Sequence, residues 1–275
     1  MSYATTNTRL ADCREHGAGS GAELFVVEGE SASRAVESVR DARLQAVLPM
    51  QGKPLNAVKA SRKTVAANAL FAALVEAMGT GWDAAFELSA ARYDRVVLLT
   101  DPDADGIHCG VLLLMFFHRW MRPWLDDGRL LAVQAPMFEI VPATGAPIRA
   151  YTEEEYREQL EELGRSGAGI ESKIRHRGLG SIDPGTLRTC CVVPETRRAF
   201  RLRAEDAVAA MEVFAPGMGG KAAGGREGSG SSKLAGAKNS LRDGRSAKAD
   251  AQQLPLFGEA GKAPRRGSGG QNESS

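Results

Sequence analysis

Residues 96–106 read VVLLTDPDADG, and this stretch decides the predicted fold. The apolar run predicts a buried strand, which stops at three carboxylates in alternate positions, Asp101, Asp103 and Asp105, before Gly106. Alternate side chains of an extended segment point to the same side, so these three can converge on one hard cation. The stretch therefore predicts a metal site, and Mg²⁺ acting on a phosphate-bearing substrate fits its oxygen ligands.

Two other interpretations of this stretch have to be weighed. An EF-hand loop also begins D-x-D-x-D-G, but its twelfth position falls on Leu112, where calcium requires a bidentate Glu. The residues before Asp101 also indicate a strand, where an EF-hand needs a helix. A solvated acidic turn stays open on this segment alone, because Asp and Gly are ordinary turn residues.

A second apolar run ends in the same way earlier in the chain. Residues 23–33 read ELFVVEGESAS, so the apolar run leads into Glu28 and Gly29. Two strands that both end in carboxylates predict a parallel sheet with a site at its carboxyl ends. Gly29 allows a turn there, and Ser31 is predicted to cap the following helix. Four carboxylates gathered at one place repel one another unless a metal ion is bound.

The order of elements predicts an α/β fold, a Rossmann-like parallel sheet with helices on both faces. Strands are predicted at 23–27, 44–48, 95–100 and 129–134, and helices at about 31–39, 57–78 and 107–122. Such alternation favours parallel pairing with right-handed crossovers. Further on, Thr152 and Glu155 form a predicted capping box, and Asp183 with Pro184 begins another helix.

Composition divides the chain into a folded body and a polar tail. The 275 residues are 43% apolar, but from Pro216 onward Gly, Ser, Lys and Ala dominate, which predicts disorder. Residues 1–215 carry a net charge of about −4 and the tail one of about +5. A basic flexible tail attracts DNA without regard to sequence, and a plain solubility tail is the open alternative.

Several classes of protein are not supported by the sequence. The cysteines form no C-x-x-C pair and the four histidines show no zinc spacing, which indicates a reducing compartment. No signal peptide is recognised, and the longest apolar run, 111–117, is too short to cross a bilayer, so no membrane partner is expected. The nearest approach to a phosphate loop, GMGGK at 217–221, lacks the first Gly and the final Ser or Thr, so no ATP site is predicted.

Four motifs carry a resemblance to a known family. In order they are EGESAS (28–33), PMQGKPLN (49–56), TDPDADGIH (100–108) and HRGLGSIDP (176–184). They resemble the TOPRIM region of the B subunit of bacterial type IIA DNA topoisomerases, gyrase and topoisomerase IV, over residues 9–212 beginning with RLADC. The acidic motifs alone indicate the wider TOPRIM group, and PMQGKPLN and HRGLG make the type IIA resemblance specific. That family's ATPase and transducer domains would precede the match.

The chain departs from the family pattern around the site. Glu30 stands in place of the usual Asp, and Ser33 in place of Gly. The other departures are Met50, Gln51, His176, Arg177 and Ser181. The expected ligand positions are intact, which fits a divergent protein that retains its metal site.

The resemblance implies which residues hold the metal. Glu28, Asp101, Asp103 and Asp105 are expected to bind one or two Mg²⁺ ions, and Glu28 is also expected to act as general acid or base. Lys53 completes the expected catalytic set as a phosphate contact, with a solvated loop cation as the alternative.

The resemblance further implies DNA contacts from Lys53, Asn56, His108 and Arg177. For His108, capping of the following helix is the alternative.

None of the four tyrosines, Tyr3, Tyr93, Tyr151 and Tyr156, matches the family's cleavage tyrosine, which lies on the A subunit. The expected partners are therefore double-stranded DNA, an A subunit and a separate ATPase subunit, in the cytoplasm at the nucleoid. Two other functions stay open, a non-catalytic DNA- or clamp-binding paralogue and a TOPRIM nuclease or nickase that uses water.

One segment of the tail is not low in complexity. Residues 253–257 read QLPLF and resemble the pentapeptide by which bacterial proteins bind the sliding clamp. Leu254, Leu256 and Phe257 would fill a pocket while Gln253 makes polar contacts, and a chance match is the alternative. The predicted domains are a lead-in (1–20), TOPRIM (21–142), a TOPRIM-associated region (143–214) and the tail (215–275).

Overall fold

A computed structural model describes residues 9–214 of the protein. The elements follow in the order β1 (Glu23–Glu28), α1 (Gly29–Val39), β2 (Gln45–Met50), α2 (Arg62–Ala66), α3 (Ala69–Met78), β3 (Arg95–Leu99), α4 (Ala104–Trp120), α5 (Pro123–Asp126), β4 (Leu130–Val133), β5 (Phe138–Pro142), β6 (Ile148–Ala150), α6 (Glu153–Ser166), β7 (Ile170–Arg175), α7 (Pro184–Leu187), β8 (Ala199–Arg201) and α8 (Ala204–Phe214). The tyrosine at position 3 and the tail, including the clamp-like peptide 253–257, lie outside the described residues.

The main sheet has five strands in the order β2-β1-β3-β4-β8. The first four are parallel, and β8 adds an antiparallel edge by pairing with β4. This architecture confirms the predicted α/β class with a parallel sheet. The four predicted strands form at nearly the expected positions because their apolar runs are buried on both faces.

Strand β1 shows how the sheet separates two cores. Leu24 and Val26 pack into the core under α3 and α4, whereas Phe25 and Val27 pack into the core under α1 and α7. All four side chains are fully buried. Successive side chains of a strand point to opposite faces, so one apolar run holds helices on both sides of the sheet.

Two local predictions about helices were wrong, and one alternative is excluded. The helix predicted at 57–78 is two helices, α2 and α3, because Asn68 caps α3 by accepting a 3.1 Å hydrogen bond from the Phe71 N–H. Ser31 lies inside α1, which begins directly after Glu28. His108 likewise lies inside α4, whose cap is Asp103, so the capping alternative for His108 is excluded.

Two predicted helix starts in the later part of the chain were confirmed. Thr152 caps α6 by accepting from the Glu155 N–H at 3.0 Å, and the Glu155 carboxylate in turn accepts from the Tyr151 N–H at 2.7 Å. Asp183 caps α7 by accepting from the Thr186 N–H at 3.1 Å. Pro184 occupies the first turn of α7.

A second sheet, β6-β5-β7, is antiparallel and carries α6. The predicted boundary at residue 142 passes between β5 and β6, and it stays a proposal. After this sheet the chain returns to the main sheet as β8, and α8 packs against α4.

A buried ion pair fixes that return. Arg197 donates to both carboxylate oxygens of Glu23, at 2.7 and 2.6 Å, and both side chains are almost fully buried. Gln45 donates a further hydrogen bond to Glu23 at 3.1 Å. A residue far along the chain is thereby locked to the first residue of β1.

The lead-in segment is attached at the amino ends of the strands. Ala11 bridges to Val47 of β2, and the Asp12 carboxylate accepts from the Tyr93 hydroxyl at 2.7 Å and pairs with Arg92. Burial opposes ionisation of Asp12, but hydrogen bonds from Tyr93, His16 and Arg92 outweigh it and lower its pKa to about 2. Within residues 9–214, no helix is both long enough and apolar enough to cross a membrane.

Candidate metal centre

The site lies at the carboxyl ends of two neighbouring strands. β1 and β3 are parallel and in register from Glu23 opposite Arg95 to Val27 opposite Leu99. Glu28, the last residue of β1, therefore stands beside the segment that carries Asp101. Both carboxylates are half-buried.

The start of α4 fixes the acidic segment. The Asp103 carboxylate is the helix cap and accepts from the N–H groups of Asp105 at 2.9 Å and Gly106 at 2.8 Å. A Cβ on Gly106 would lie 2.1 Å from the backbone oxygen of Asp101. Glycine is therefore required where the first turn of α4 closes over Asp101.

The HRGLG segment completes the site from a distant part of the chain. The Leu179 N–H donates a 2.9 Å hydrogen bond to Oδ1 of Asp101. A Cβ on Gly178 would be 3.0 Å from Oδ2 of Asp101, and one on Gly180 would be 2.4 Å from Oγ of Ser31. The two glycines let the segment pack against both the carboxylate and α1.

The electrostatics of the site favour a cation. Burial, together with the charges of Asp101 and Asp103, raises the pKa of Glu28 against an opposing backbone hydrogen bond at Asp101. Burial also raises the pKa of Asp101, with the Leu179 hydrogen bond opposing and the Asp103 charge adding to the rise. These carboxylates are close enough to disfavour one another's ionised form, and a divalent cation would reverse that effect.

The donor set fits Mg²⁺ in its chemistry. Carboxylate oxygens are the ligands that Mg²⁺ prefers, and Oε2 of Glu28 is buried without a hydrogen-bond partner among the described residues. The oxygens of Glu28, Asp101 and Asp103 are not all within 4.8 Å of one another, so one ion held by all three would need a change of rotamer at an aspartate or a bridging water.

Within residues 9–214 a different trio meets that distance, namely Asp12, Cys13 and His16. Its carboxylate is already paired with Arg92 and accepts from Tyr93, which accounts for its charge without a metal. We therefore assign the trio a structural role, which is to attach the lead-in segment to Arg92 and Tyr93 just before β3.

The PMQGKPLN segment brings Lys53 to the acidic cluster. Lys53 Nζ lies 3.4 Å from Oδ1 of Asp105, and both side chains are exposed. The two residues that follow this segment are held against α4 by hydrogen bonds from Trp120 to the Ala57 carbonyl, at 3.2 Å, and from Arg119 to the Val58 carbonyl. Lys53 is thus anchored beside the metal candidates on a supported loop.

The other predicted DNA contacts have different surroundings. The side-chain oxygen of Asn56 accepts from the N–H groups of Val58 at 3.1 Å and Lys59 at 3.3 Å, so it stabilises its own turn. His108 is half-buried in α4. Arg177 is exposed, and it immediately precedes the Gly178–Leu179 pair that contacts Asp101.

One residue of the site was missed from the sequence. Cys109 Sγ lies 3.7 Å from Oε1 of Glu28, and the thiol is buried. Burial and the charge of Glu28 raise the pKa of the Cys109 thiol to about 12, although Lys53 opposes the rise. The available signal was its position four residues after Asp105, which places both side chains on one face of α4.

Comparison with known proteins adds evidence independent of the geometry. Residues 23–133 match the Toprim domain family. The chain is also similar to the B subunits of DNA gyrase from several organisms. Identity is 38% over 211 residues with the Archaeoglobus fulgidus protein, 38% over 224 with that of Thermus thermophilus and 36% over 208 with that of Halalkalibacterium halodurans.

These matches cover 77%, 80% and 75% of this chain, but 32%, 34% and 32% of the relatives. The chain thus spans about a third of the length of the proteins that it resembles. The similarities confirm the predicted resemblance to the TOPRIM region of gyrase B subunits.

Proposed function

We propose that this chain supplies the Mg²⁺ site for DNA strand cleavage and religation as a B-subunit-like component of a type IIA topoisomerase. The observation that carries this proposal is the 2.9 Å hydrogen bond from Leu179 to Asp101, which joins the HRGLG segment to the acidic segment. The HRGLG segment is one of the two that make the type IIA resemblance specific, whereas the acidic segment is common to the wider TOPRIM group. The similarity to gyrase B subunits from several organisms supports the same assignment.

In this proposal Glu28, Asp101 and Asp103 hold the catalytic ion, and Asp105 shares a second ion or orients its waters. Bound Mg²⁺ would neutralise charge that develops on the phosphate and on the leaving 3′ oxygen. In the same proposal Glu28 also acts as general acid or base toward that oxygen.

The proposed DNA contacts surround this centre. Lys53, 3.4 Å from Asp105, would move to a phosphate as the DNA backbone approaches. His108 and the exposed Arg177 would contact the backbone on either side, and Asn56 would contribute mainly by holding the Lys53 loop in shape.

The cleavage tyrosine is proposed to come from an A subunit. Tyr93 is fully buried and donates to Asp12, and Tyr156 is stacked on Phe138 with ring centroids 4.2 Å apart. Tyr151 lines a small cavity with Asp101, but burial and the neighbouring cysteines raise its pKa, which disfavours a phenolate nucleophile. Tyr93 and Tyr151 are therefore poorly suited to act as the nucleophile, which supports a tyrosine from another chain.

We propose double-stranded DNA as the substrate, and the cytoplasm at the nucleoid as the place where the chain works. The peptide at 253–257 is proposed to bind the sliding clamp. Replacing Leu256 and Phe257 with Ala should abolish clamp capture, and unchanged capture would exclude that role.

The function is tested by incubating the full chain with supercoiled plasmid and Mg²⁺, with and without a gyrase A-type subunit. Double-strand cleavage that requires both proteins is the expected result. Nicking by the chain alone would indicate a water-dependent nuclease, and DNA binding without cleavage in either mixture would indicate a non-catalytic paralogue. Either of these two results would overturn the proposal.

A matched pair of variants shows whether cleavage depends on this site. Asp101→Asn with Asp103→Asn keeps the oxygen acceptors for Leu179 and for the α4 cap but removes both charges. It should abolish cleavage. Asp126→Asn with Asp127→Asn removes two exposed charges beyond the far end of α4 and should leave cleavage unchanged.

A further inference from the structure

We propose that Cys109 is a positioning residue that holds the Glu28 carboxylate in the orientation that binds the divalent cation. This inference rests on the proposed function, because it assigns Glu28 the role of ligand. Its basis is the 3.7 Å approach of Cys109 Sγ to Oε1 of Glu28, within hydrogen-bonding reach for sulfur. The thiol is 3% exposed, so it has little freedom to turn away.

The two oxygens of Glu28 have different surroundings. Oε1 faces the thiol of Cys109, whereas Oε2 is buried without a hydrogen-bond partner among the described residues. A carboxylate accepts hydrogen bonds and a thiol can donate one, so the contact fixes the rotation of the carboxylate about its last bond. Oε2 is then the oxygen that remains for a cation.

The position of Cys109 on α4 connects the two halves of the site. It lies four residues after Asp105, on the same face of the helix whose cap is Asp103. The helix that orients the aspartates therefore also carries the group that orients the glutamate. A group that hydrogen-bonds to a metal ligand holds that ligand in its binding orientation, so its loss lowers the affinity for the metal.

A purely space-filling role is the alternative, and two substitutions separate it from positioning. Cys109→Ala removes the donor and leaves a small apolar side chain. Cys109→Ser keeps a donor of similar size. Positioning predicts that Ser retains metal binding and Ala does not, whereas filling of the core predicts that both behave alike.

Cys13→Ala is the matched control. Cys13 is 5% exposed and its thiol also makes one hydrogen bond, to the Glu15 carbonyl at 3.1 Å. It belongs to the lead-in segment, next to the Asp12 junction with Tyr93 at the amino ends of the strands, opposite Asp101. Loss of this thiol tests the general effect of removing a buried cysteine.

The experiment titrates the full-length chain with Mn²⁺, a paramagnetic substitute for Mg²⁺. The electron paramagnetic resonance signal of the free Mn²⁺ ion measures how much of it is bound. Cys109→Ala should raise the Mn²⁺ Kd by about tenfold, the lower end of the range for groups that orient metal ligands. Cys109→Ser and Cys13→Ala should stay close to the parent chain. Circular dichroism of each variant confirms that it is folded.

The outcomes distinguish this inference from the proposed function. If Glu28→Gln abolishes Mn²⁺ binding but Cys109→Ala leaves the Kd unchanged, the positioning role is wrong and the metal site stands. The role is also wrong if Cys109→Ser weakens binding as much as Cys109→Ala. If the parent chain binds no Mn²⁺, both the inference and the proposed function fail.

Discussion

The backbone N–H of Leu179 donates to the Asp101 carboxylate at 2.9 Å, across 78 residues of chain. This hydrogen bond joins a loop that follows the second sheet to the acidic segment of the main sheet. Because the donor is a backbone N–H, the main chain of the loop must lie directly against the Asp101 carboxylate. The two glycines that flank Leu179 allow that approach.

Gly178→Ala should weaken metal binding without destabilising the fold. Its Cβ would lie 3.0 Å from Oδ2 of Asp101, so the carboxylate must shift by a few tenths of an ångström. The Gly178 φ of −167° is open to alanine, so no backbone strain is expected. We predict a Mn²⁺ Kd raised by about tenfold, measured by titration. An unchanged Kd would show that the placement of Asp101 does not matter for binding.

Gly106→Ala should destabilise the whole domain. The new Cβ would be 2.1 Å from the Asp101 backbone oxygen, so α4 or the acidic segment has to move. Overpacking costs about 1–3 kcal/mol or more and exceeds the roughly 1 kcal/mol that alanine gains in a helix. We predict a net loss of about 2 kcal/mol in the free energy of unfolding, measured with urea.

Gly164→Ala is the control for Gly106→Ala. Gly164 is also helical, in α6, and nothing lies within 4 Å of its added Cβ. Alanine should therefore stabilise the chain slightly, by about 0.5 kcal/mol. Equal effects of the two substitutions would contradict the close approach at Gly106.

Arg197→Met should cost about 3 kcal/mol in the free energy of unfolding, because it leaves Glu23 buried without its main partner. Gln45 and Arg95 still contact Glu23 and keep the loss from being larger. Adding Glu23→Gln should recover part of the loss, since the unpaired charge is then gone. Chemical denaturation of the single and double variants measures both effects, and no recovery would mean that the charge is not the cause.

The same pair predicts the acid sensitivity of the fold. Burial opposes ionisation of Glu23, but the hydrogen bonds and charge of Arg197 outweigh it and hold its pKa below the ordinary 4.5. Because the pKa of Glu23 is lower in the folded chain than in the unfolded chain, its ionisation stabilises the fold. This stabilisation is complete above pH 4.5, the ordinary pKa of Glu, and is lost as the pH falls through the lower pKa of the folded chain. Denaturation between pH 3 and 6 should show this loss in the parent chain and less of it in Glu23→Gln/Arg197→Met. Equal acid sensitivity of the two would contradict it.

The sequence predicted the features that depend on local pattern. Two apolar runs, one ending at Glu28 and one ending at Asp101, were enough to predict parallel strands with carboxylates at their ends. A strand that is buried on both faces needs a continuous run of apolar residues, and that run is visible in the sequence. The break between α2 and α3 was missed although Asn68 is a favoured cap, since the apolar periodicity continues across it.

Other features depend on contacts between distant segments. The pairing of Ala199–Arg201 with β4 involves only three residues and leaves no periodic pattern. The spacing of Cys109 from Asp105 places it on the site face of α4, but its contact with Glu28 depends on how α4 lies against β1 and could not be predicted from that spacing. The hydrogen bond from Leu179 to Asp101 was equally beyond prediction from sequence, although the resemblance had grouped the two motifs in one domain.

The central claim is that the acidic cluster binds a divalent cation, and Mn²⁺ titration of the full chain tests it most directly. The parent chain should bind Mn²⁺ saturably, and Asp101→Asn with Asp103→Asn should weaken binding by more than about tenfold while keeping the α4 cap. Asp126→Asn with Asp127→Asn should bind like the parent chain. Absence of saturable binding, or an unchanged Kd in the Asp101 and Asp103 variant, would contradict the claim.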